Sequence, residues 1–426
     1  MRYRNGLLTF VVAIVTALAI SIAVPTSARA DVNSDWNVIA IQEAITAARP
    51  GGSPAIDFAT MHAAMYDAVQ AIERDYDPYR VTDVPNATGS PIAAAAKAAR
   101  DVLVYRFAAR ADAINTIYLN YLTANSIDPT DPGIAVGTYV ASKLLAYRSC
   151  DGSLPIPTPT FVGGTAIGQW RPTPTAFSPM NPGEYLGQVT PFFMTRPTQF
   201  RPETPPAITS KRYSKDYLEV KLYGVRTGSS RSADQTDLAN FWAGNTFAAV
   251  YSGVRNVAAA NVNNVSDSSR LFALVSMSMA DTIIGVWDAK FHYNFWRPQT
   301  AIQFGDVDGN PSTVGDPAWL PFINNPAYPD YTSGANGVSS SAMYSMENFF
   351  ETDAMEFSMT TTNTGPTNQD TRNYTSFSQA IQEVVDGRVL LGIHFRFADE
   401  ASVKLGHDVV KWGHKNYLRP RNGPGN

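Results

Sequence analysis

One stretch limits the architecture of this chain more than any other. From Leu271 to about Phe295 the sequence is apolar on nearly every side of a helical projection. A helix without a polar face cannot lie on a surface, so it must run through the centre with other elements packed around it. Asp267-Ser-Ser-Arg-Leu271 supplies a capping signal at its start. At its far end stands Asp288-Ala-Lys-Phe-His-Tyr-Asn-Phe-Trp-Arg-Pro298, which puts Lys290 seven residues before Arg297. On a continuous helix, i and i+7 lie two turns apart on one face, so both cations would converge on one anion from the same side. Pro298 biases Arg297 away from helical angles and marks a helix end or kink there.

The segments that surround this helix also read as helical. Asp35 to Ile45 has apolar residues at helical spacing, and from Asp57 the residues Phe58, Met61, Ala64, Met65, Ala68, Val69 and Ile72 repeat at i, i+3 and i+4. His62 and Asp67 on that face read as hydrogen-bonded structural residues. Pro91 to Phe107, Ala109 to Tyr121 and Gly133 to Tyr147 are three further helices with small, Ala-rich faces. The composition then changes, because 12 of the 29 prolines fall between Pro155 and Pro206. Regular helix and continuous sheet are both excluded there. Phe161, Trp170, Phe177, Phe192, Phe193 and Phe200 call for burial, so the stretch is expected to be an ordered wrap rather than a flexible linker.

Helical patterning resumes over Lys211 to Leu222, Ser232 to Asn245 and Tyr251 to Ala260. After the central helix come a helix from about Ser333 to Phe350, a polar Thr/Asn-rich loop to about Thr371, and terminal helices from Tyr374 to Tyr417. Gly305 to Pro311 resembles a calcium loop but lacks the glycine and the closing glutamate at the required positions, and reads as a turn. The fold class is all-α, with helices over 31–150, a Pro-rich connection over 151–209 and a second set of helices with the anion site over 210–418.

Arg2 and Arg4, the apolar run Gly6 to Val24 and Ala28-Arg-Ala30 form a secretory signal peptide over 1–30. A secreted or periplasmic location follows, with no stable membrane insertion once the leader is cleaved. No later segment is expected to span a membrane. Removing the leader takes away three arginines and no acid, which lowers Lys+Arg from 33 to 30 against 37 Asp+Glu, a balance of about −7. A general basic surface for nucleic acid is therefore absent, and basic residues that do cluster are local. Cys150 stands alone, which excludes an internal disulfide or a thiolate metal site in a monomer.

Two later segments add to the Lys290/Arg297 pair. Tyr331-Thr-Ser-Gly-Ala-Asn336 precedes a helix, where Ser333 and the backbone N–H of Gly334 would meet an anion at a positive helix end. Gly387-Arg-Val-Leu-Leu-Gly-Ile-His394 adds Arg388, a planar fork able to bind two oxygens, and His394, a nucleophile or ligand. Each element has a plainer reading. Two cations on a helix form a solvated face, Ser-Gly forms a turn, and Arg388 and His394 share a face only if the helix bends near Gly392. Spacing alone leaves these readings open beside a site for a tetrahedral oxyanion.

In this order the three segments resemble the signature of the vanadium-dependent haloperoxidase and type 2 phosphatidic acid phosphatase superfamily: K-x6-R-P, then P-S-G-H, then S-R-x5-H-x3-D. Asp35-Trp-Asn, Met61-His-Ala-Ala-Met-Tyr-Asp-Ala68, Gly168-Gln-Trp-Arg-Pro172, Asn240-Phe-Trp242 and Ile393-His-Phe-Arg-Phe397 extend the likeness to the secreted bacterial branch. The resemblance implies two fused four-helix-bundle halves around one anion site. Lys290, Arg297, Ser333, Gly334 and Arg388 would hold vanadate, with phosphate as competing anion. His394 would be the metal ligand, and Lys290 would share in catalysis. Hydrogen peroxide and a halide or small organic molecule would be the substrates, and a homo-oligomer is compatible with the pattern. The alternatives are a phosphatase working through a phosphohistidine and an oxyanion-binding protein that has lost activity. This chain departs from the signature at Thr332, at Gly387, at Ala335 in place of the acid/base histidine, and at Ala398 in place of the acid that orients the reactive histidine. Asp399 is one residue out of register for that last role, and His292 is the nearest stand-in for the missing proton donor.

Overall fold

A computed structural model describes residues 31–174, 177–180 and 183–421. The leader and its cleavage signal lie outside the described residues. Thirteen α-helices account for most of this part, as the helical periodicity requires. The central helix, α9, spans Val265–Tyr293, and Asn264 rather than Asp267 caps it, its side chain accepting from the Asp267 N–H. Its length and composition would suffice to cross a membrane, contrary to the sequence-based expectation, but the helix is enclosed by the rest of the fold. Each fully enclosed Leu, Ile, Val or Phe on it contributes about 1.5–3 kcal/mol.

Two groups of helices use α9 in common. On one side α2 (Pro54–Glu73) lies against it, backed by α3 (Pro91–Arg106) and α5 (Pro132–Arg148), with α1 (Val32–Thr46) and α4 (Ala111–Ala124) outside them. On the other side α11 (Gly334–Phe350) and α13 (Arg396–Asn416) pack on α9, and α12 (Phe377–Leu390) packs on α11. α6 (Lys211–Tyr223), α7 (Ala233–Ala243), α8 (Thr246–Asn261) and the short α10 (Pro298–Gln303) fill the flanks.

Two buried carboxylates clamp the connections, Asp67 holding the link between α2 and α3 and Asp281 anchoring the Pro-rich connection. Asp67 on α2 accepts the N–H groups of Tyr79, Arg80 and Val81 at 2.6–3.0 Å. Asp281 on α9 does the same for Phe192, Phe193 and Met194 at 2.6–2.8 Å. Tyr79 joins the two clamps, stacking on Phe192 and donating its hydroxyl to the Phe192 carbonyl at 2.9 Å. Arg201 adds a bidentate pair with Asp288 at 2.6 and 2.8 Å. Trp170, Phe192 and Phe193 are buried as expected, whereas Phe177 is 63% exposed. His62 stacks on Phe272 and lies 3.3 Å from the Asn37 amide, a structural role.

The stretch expected as a polar loop up to Thr371 holds one strand, β1 (Ala354–Thr360), which pairs antiparallel with β2 (Thr371–Ser376), so the helix expected from Tyr374 starts only at Phe377. Alternation at Met355, Phe357 and Met359 turns those side chains inward, and Phe357 stacks on Tyr374 across the pair. The outward positions of β1 are Ala354, Glu356, Ser358 and Thr360, so only three inward residues carry this period-two signal. The Gly305–Pro311 segment is a turn. Asp308 accepts from its own loop, from the Asn310 N–H and the Thr313 hydroxyl.

Candidate functional site

Lys290 lies in the last turn of α9 and is fully buried. The helix then stops, because Asn294 takes a left-handed conformation and returns its N–H to the Lys290 carbonyl. Arg297 is therefore not on the same helix, and the common-face argument fails. Extended backbone at Arg297, just ahead of α10 with Pro298 as its first residue, swings the guanidinium back instead. Both cations are tied to one segment. Lys290 Nζ donates to the Pro329 and Asp330 carbonyls at 2.8 and 3.0 Å, and Arg297 Nε donates to the Tyr328 carbonyl at 2.9 Å. The Tyr328 ring faces both, 5.1 Å from the ammonium and 4.9 Å from the guanidinium carbon.

The same segment leads into α11. Ser333 is its N-cap residue and Gly334 its first helical residue, so the open N–H groups of a 17-residue helix begin here. A Cβ built on Gly334 would meet nothing within 4 Å, which leaves an open approach to that backbone. The Ser333 hydroxyl is already engaged, accepting from Asn336 Nδ2 at 3.1 Å and lying against Asp399. Arg388 comes from the last turn of α12, held by one bond from Nη1 to the Trp242 carbonyl at 2.8 Å. Gly392, at φ +77°, turns the chain sharply after α12, so His394 reaches the cluster from the link to α13.

His394 has a single tautomer that suits its neighbours. Arg297 Nη1 lies 3.2 Å from Nε2, and a guanidinium can only donate. Nε2 is therefore an acceptor, and the ring proton sits on Nδ1, 2.7 Å from Asp330 Oδ1. Burial, reinforced by the charges of Arg297, Lys290 and Arg388, holds the imidazole pKa well below its usual range. Burial also depresses Lys290, with Arg297 adding to the effect, and raises Asp330 to about 7 against the pull of Arg297 and Lys290. Burial likewise pushes Asp399 well above the usual carboxyl range.

The cluster has spare donors. Arg297 Nη2 and Arg388 Nε are buried without a hydrogen-bond partner. Such orphans are rare in a folded protein and costly, and together with Lys290 they define a place where an anion would be stabilised. A cavity of about 360 Å³ opens onto it, with Lys290, Gly334, Ala335 and Arg388 at the inner end and α1, α8 and α9 forming the walls.

The sequence-derived residues thus come together, with Ser333 turned toward Asp399. His292 does not join them: it is exposed and packs on Tyr293. Asp399 is engaged by Asn336 Nδ2 at 2.7 Å rather than by His394. The carboxylate beside His394 is Asp330, which sequence reasoning missed. Its position directly ahead of Tyr331-Thr-Ser-Gly places it near the site but does not point to the imidazole. Tyr328 and Trp287 were also missed, since apolar and aromatic residues near a predicted core helix look like packing.

The model of the VCPO second helical-bundle domain matches residues 270–423. The vanadium chloroperoxidase of Curvularia inaequalis is 27% identical over 184 residues, 35% of this chain and 29% of that protein, so the chain spans less than a third of that relative's length. Among solved structures, the first bacterial vanadium-dependent iodoperoxidase aligns with a TM-score of 0.74 at 23% identity, over 92% of this chain and 97% of that one. An apo-type bacterial vanadium-dependent chloroperoxidase aligns with a TM-score of 0.70 at 15% identity, over 85% and 92%. Residues 270–423 thus match the second helical-bundle domain of the VCPO type, and the chain shares the fold of these vanadium-dependent haloperoxidases.

Proposed function

We propose that the protein is a vanadate-dependent haloperoxidase-like oxidoreductase that uses hydrogen peroxide to oxidise halide. The observation that carries this reading is the pair of buried guanidinium donors on Arg297 and Arg388 without a partner among the described residues, with Arg388 and Lys290 lining one cavity beside Gly334 and Arg297 Nη1 lying 3.2 Å from His394 Nε2. These residues fit an oxyanion: the donor set is cationic and the Gly334 backbone is open to approach. Lys290, Arg297, Arg388 and the Gly334 N–H would hold its oxygens, and His394 Nε2 would be the metal ligand. Bound vanadate would supply Lewis acidity toward peroxide. The chain's own part is to neutralise the anion, to keep His394 unprotonated at Nε2, and to exclude bulk water by burial of the whole cluster. Lys290 has a third N–H beyond its two carbonyl bonds, free to donate toward an oxygen in the site. The export signal at 1–30 supports action outside the cytoplasm.

A phosphatase would need a group to protonate the leaving alkoxide, and Ala335 offers only a methyl at the mouth of the site. The test loads purified protein with orthovanadate or phosphate and measures bromide and iodide oxidation by peroxide beside hydrolysis of a phosphate monoester. Vanadate-dependent oxidation that His394→Ala abolishes is expected. Hydrolysis inhibited by vanadate, without oxidation, would sink the proposal.

A further inference from the structure

The outward face of α6 carries leucine where contact with water favours polar residues. Lys211, Lys215, Leu218 and Leu222 recur at i, i+4, i+7 and i+11, so two cations and two leucines share one stripe of the helix. Each leucine is 50% exposed, while Tyr213, Tyr217 and Val220 on the opposite side are buried.

The loop after α10 extends this stripe. Asn310 Nδ2 donates to Ser214 Oγ at 2.8 Å, the Tyr217 hydroxyl donates to the Val314 carbonyl at 2.8 Å, and Lys221 Nζ reaches the same carbonyl at 2.7 Å. The loop therefore runs along the flank of α6 and sets Val314, 63% exposed, next to the leucine stripe. Its start is held there too, since a Cβ on Gly305 would collide with the Tyr217 phenol oxygen. Phe304 and Val307 on either side of that glycine are exposed. Five of the thirteen exposed large apolar side chains among the described residues thus lie on one helix face and the loop fixed to it. Scattered singly such residues need no explanation, but gathered together they mark an interaction surface.

The charges on this face are mostly positive. Lys211 and Lys215 are exposed. Lys221 is tied only to the Val314 carbonyl, and Arg226, just past the end of α6, donates to the Pro321 carbonyl at 3.1 Å and to Asn324 Oδ1 at 2.9 Å. Among the described residues none of the four meets a carboxylate. The acids of α6 are neutralised on its other flank, Asp216 by Arg212 and Glu219 by Arg396. In the loop, Asp306 accepts the Gly315 N–H at 2.8 Å and Asp316 the Ala318 N–H at 3.0 Å, which leaves four cations over two acids. Lysine is depleted from the cores of protein–protein interfaces, yet here it alternates with leucine. Long lysine stems around shorter aliphatic side chains suit a lipid surface, where ammonium groups meet phosphates and the leucines pass below them.

Independently of the reading of the anion site, we infer that this face docks the protein peripherally on an anionic lipid bilayer. Leu218, Leu222 and Val314 enter the headgroup boundary, and Lys211, Lys215, Lys221 and Arg226 lie against lipid phosphates. Acids outnumber bases over the whole chain, 37 to 33, so an anionic bilayer repels the rest of the molecule and the contact has one orientation.

The test uses the chain from Asp31 onward, a compact unit without the apolar leader. It is floated with vesicles of phosphatidylcholine alone or of phosphatidylcholine and phosphatidylglycerol in equal parts. Binding to the mixed vesicles is expected to exceed that to the neutral ones by about tenfold or more, and to fall as salt rises. Leu222→Glu and Lys215→Glu should each weaken it by about fivefold or more. Lys143→Glu, at an exposed position on α5, should leave it within about twofold. Circular dichroism checks that the helices persist in each variant. No binding to mixed vesicles overturns the inference, as does an equal loss in Lys215→Glu and Lys143→Glu, which would reduce the effect to net charge. A dimer in sedimentation equilibrium that Leu222→Glu dissolves, without vesicle binding, overturns it in favour of a second copy of this chain on the same face.

Discussion

Asp330 Oδ1 lies 2.7 Å from Nδ1 of His394, and the same carboxylate stands 3.7 Å from Arg297 Nη1, which donates to the Ile393 carbonyl at 2.8 Å and lies 3.2 Å from His394 Nε2. The imidazole is thus held between a carboxylate and a guanidinium that specify one tautomer. Carboxylate partners of this kind orient a ligating histidine and raise its basicity. Asp330→Ala is expected to lower vanadate-dependent halide oxidation by about 10- to 100-fold, measured at saturating peroxide. An unchanged rate would show that the contact is incidental.

The orphaned donors make a second prediction. Arg297→Lys and Arg388→Lys keep the charge but remove the planar fork, and each should weaken phosphate or vanadate binding by about 10-fold or more. Isothermal titration with each anion measures this, with circular dichroism to confirm that the helices persist. Arg388 is the cleaner probe, because among the described residues its one hydrogen-bond partner is the Trp242 carbonyl. Affinities equal to wild type would mean that the anion sits elsewhere.

How much of this was readable in the sequence depends on the range of the physics involved. The helices were legible because their periodicity is local, and α9 was legible as the core because it lacks a polar face. The cluster was legible as three segments, but the reason for its convergence was not. Lys290 and Arg297 meet through the left-handed turn at Asn294, which overrides the spacing argument. Asp330 shows a further limit, since an aspartate in a Pro-Asp-Tyr turn carries no sign of the imidazole it meets 64 positions later. The hairpin was hidden because its alternation is only three inward residues long, at Met355, Phe357 and Met359, and runs straight into a threonine- and asparagine-rich loop. The cavity walls come from α1, α8 and α9, which no local pattern connects.

Ala335 predicts a gain of function. Ala335→His would project an imidazole into the cavity beside Lys290 and Arg388, in the place where a proton donor could serve a leaving oxygen. Phosphate-monoester hydrolysis should rise by about 10²-fold or more if the rest of the site is competent. An inactive variant that still binds phosphate would place the defect in something other than the missing acid.

The two carboxylate clamps predict how stability depends on pH. Burial raises both Asp67 and Asp281 to about 6, and their three backbone N–H bonds each offset only part of that cost. The folded state therefore binds protons that the unfolded chain, with carboxyl pKa near 3.8, does not. Their protonation-linked stabilisation is fully present below about pH 4 and is lost as pH rises through about 6. It amounts to about 3 kcal/mol or less for each residue. In Asp67→Asn and Asp281→Asn the amide cannot titrate, so the midpoint of denaturant unfolding should change less between pH 4.5 and 7 than in wild type. At neutral pH each variant avoids burying a charge but turns an NH2 toward N–H donors, and that lost acceptor should cost about 1–3 kcal/mol. Equal pH slopes in wild type and both variants would mean that the clamps stay ionised throughout, with the backbone bonds outweighing burial.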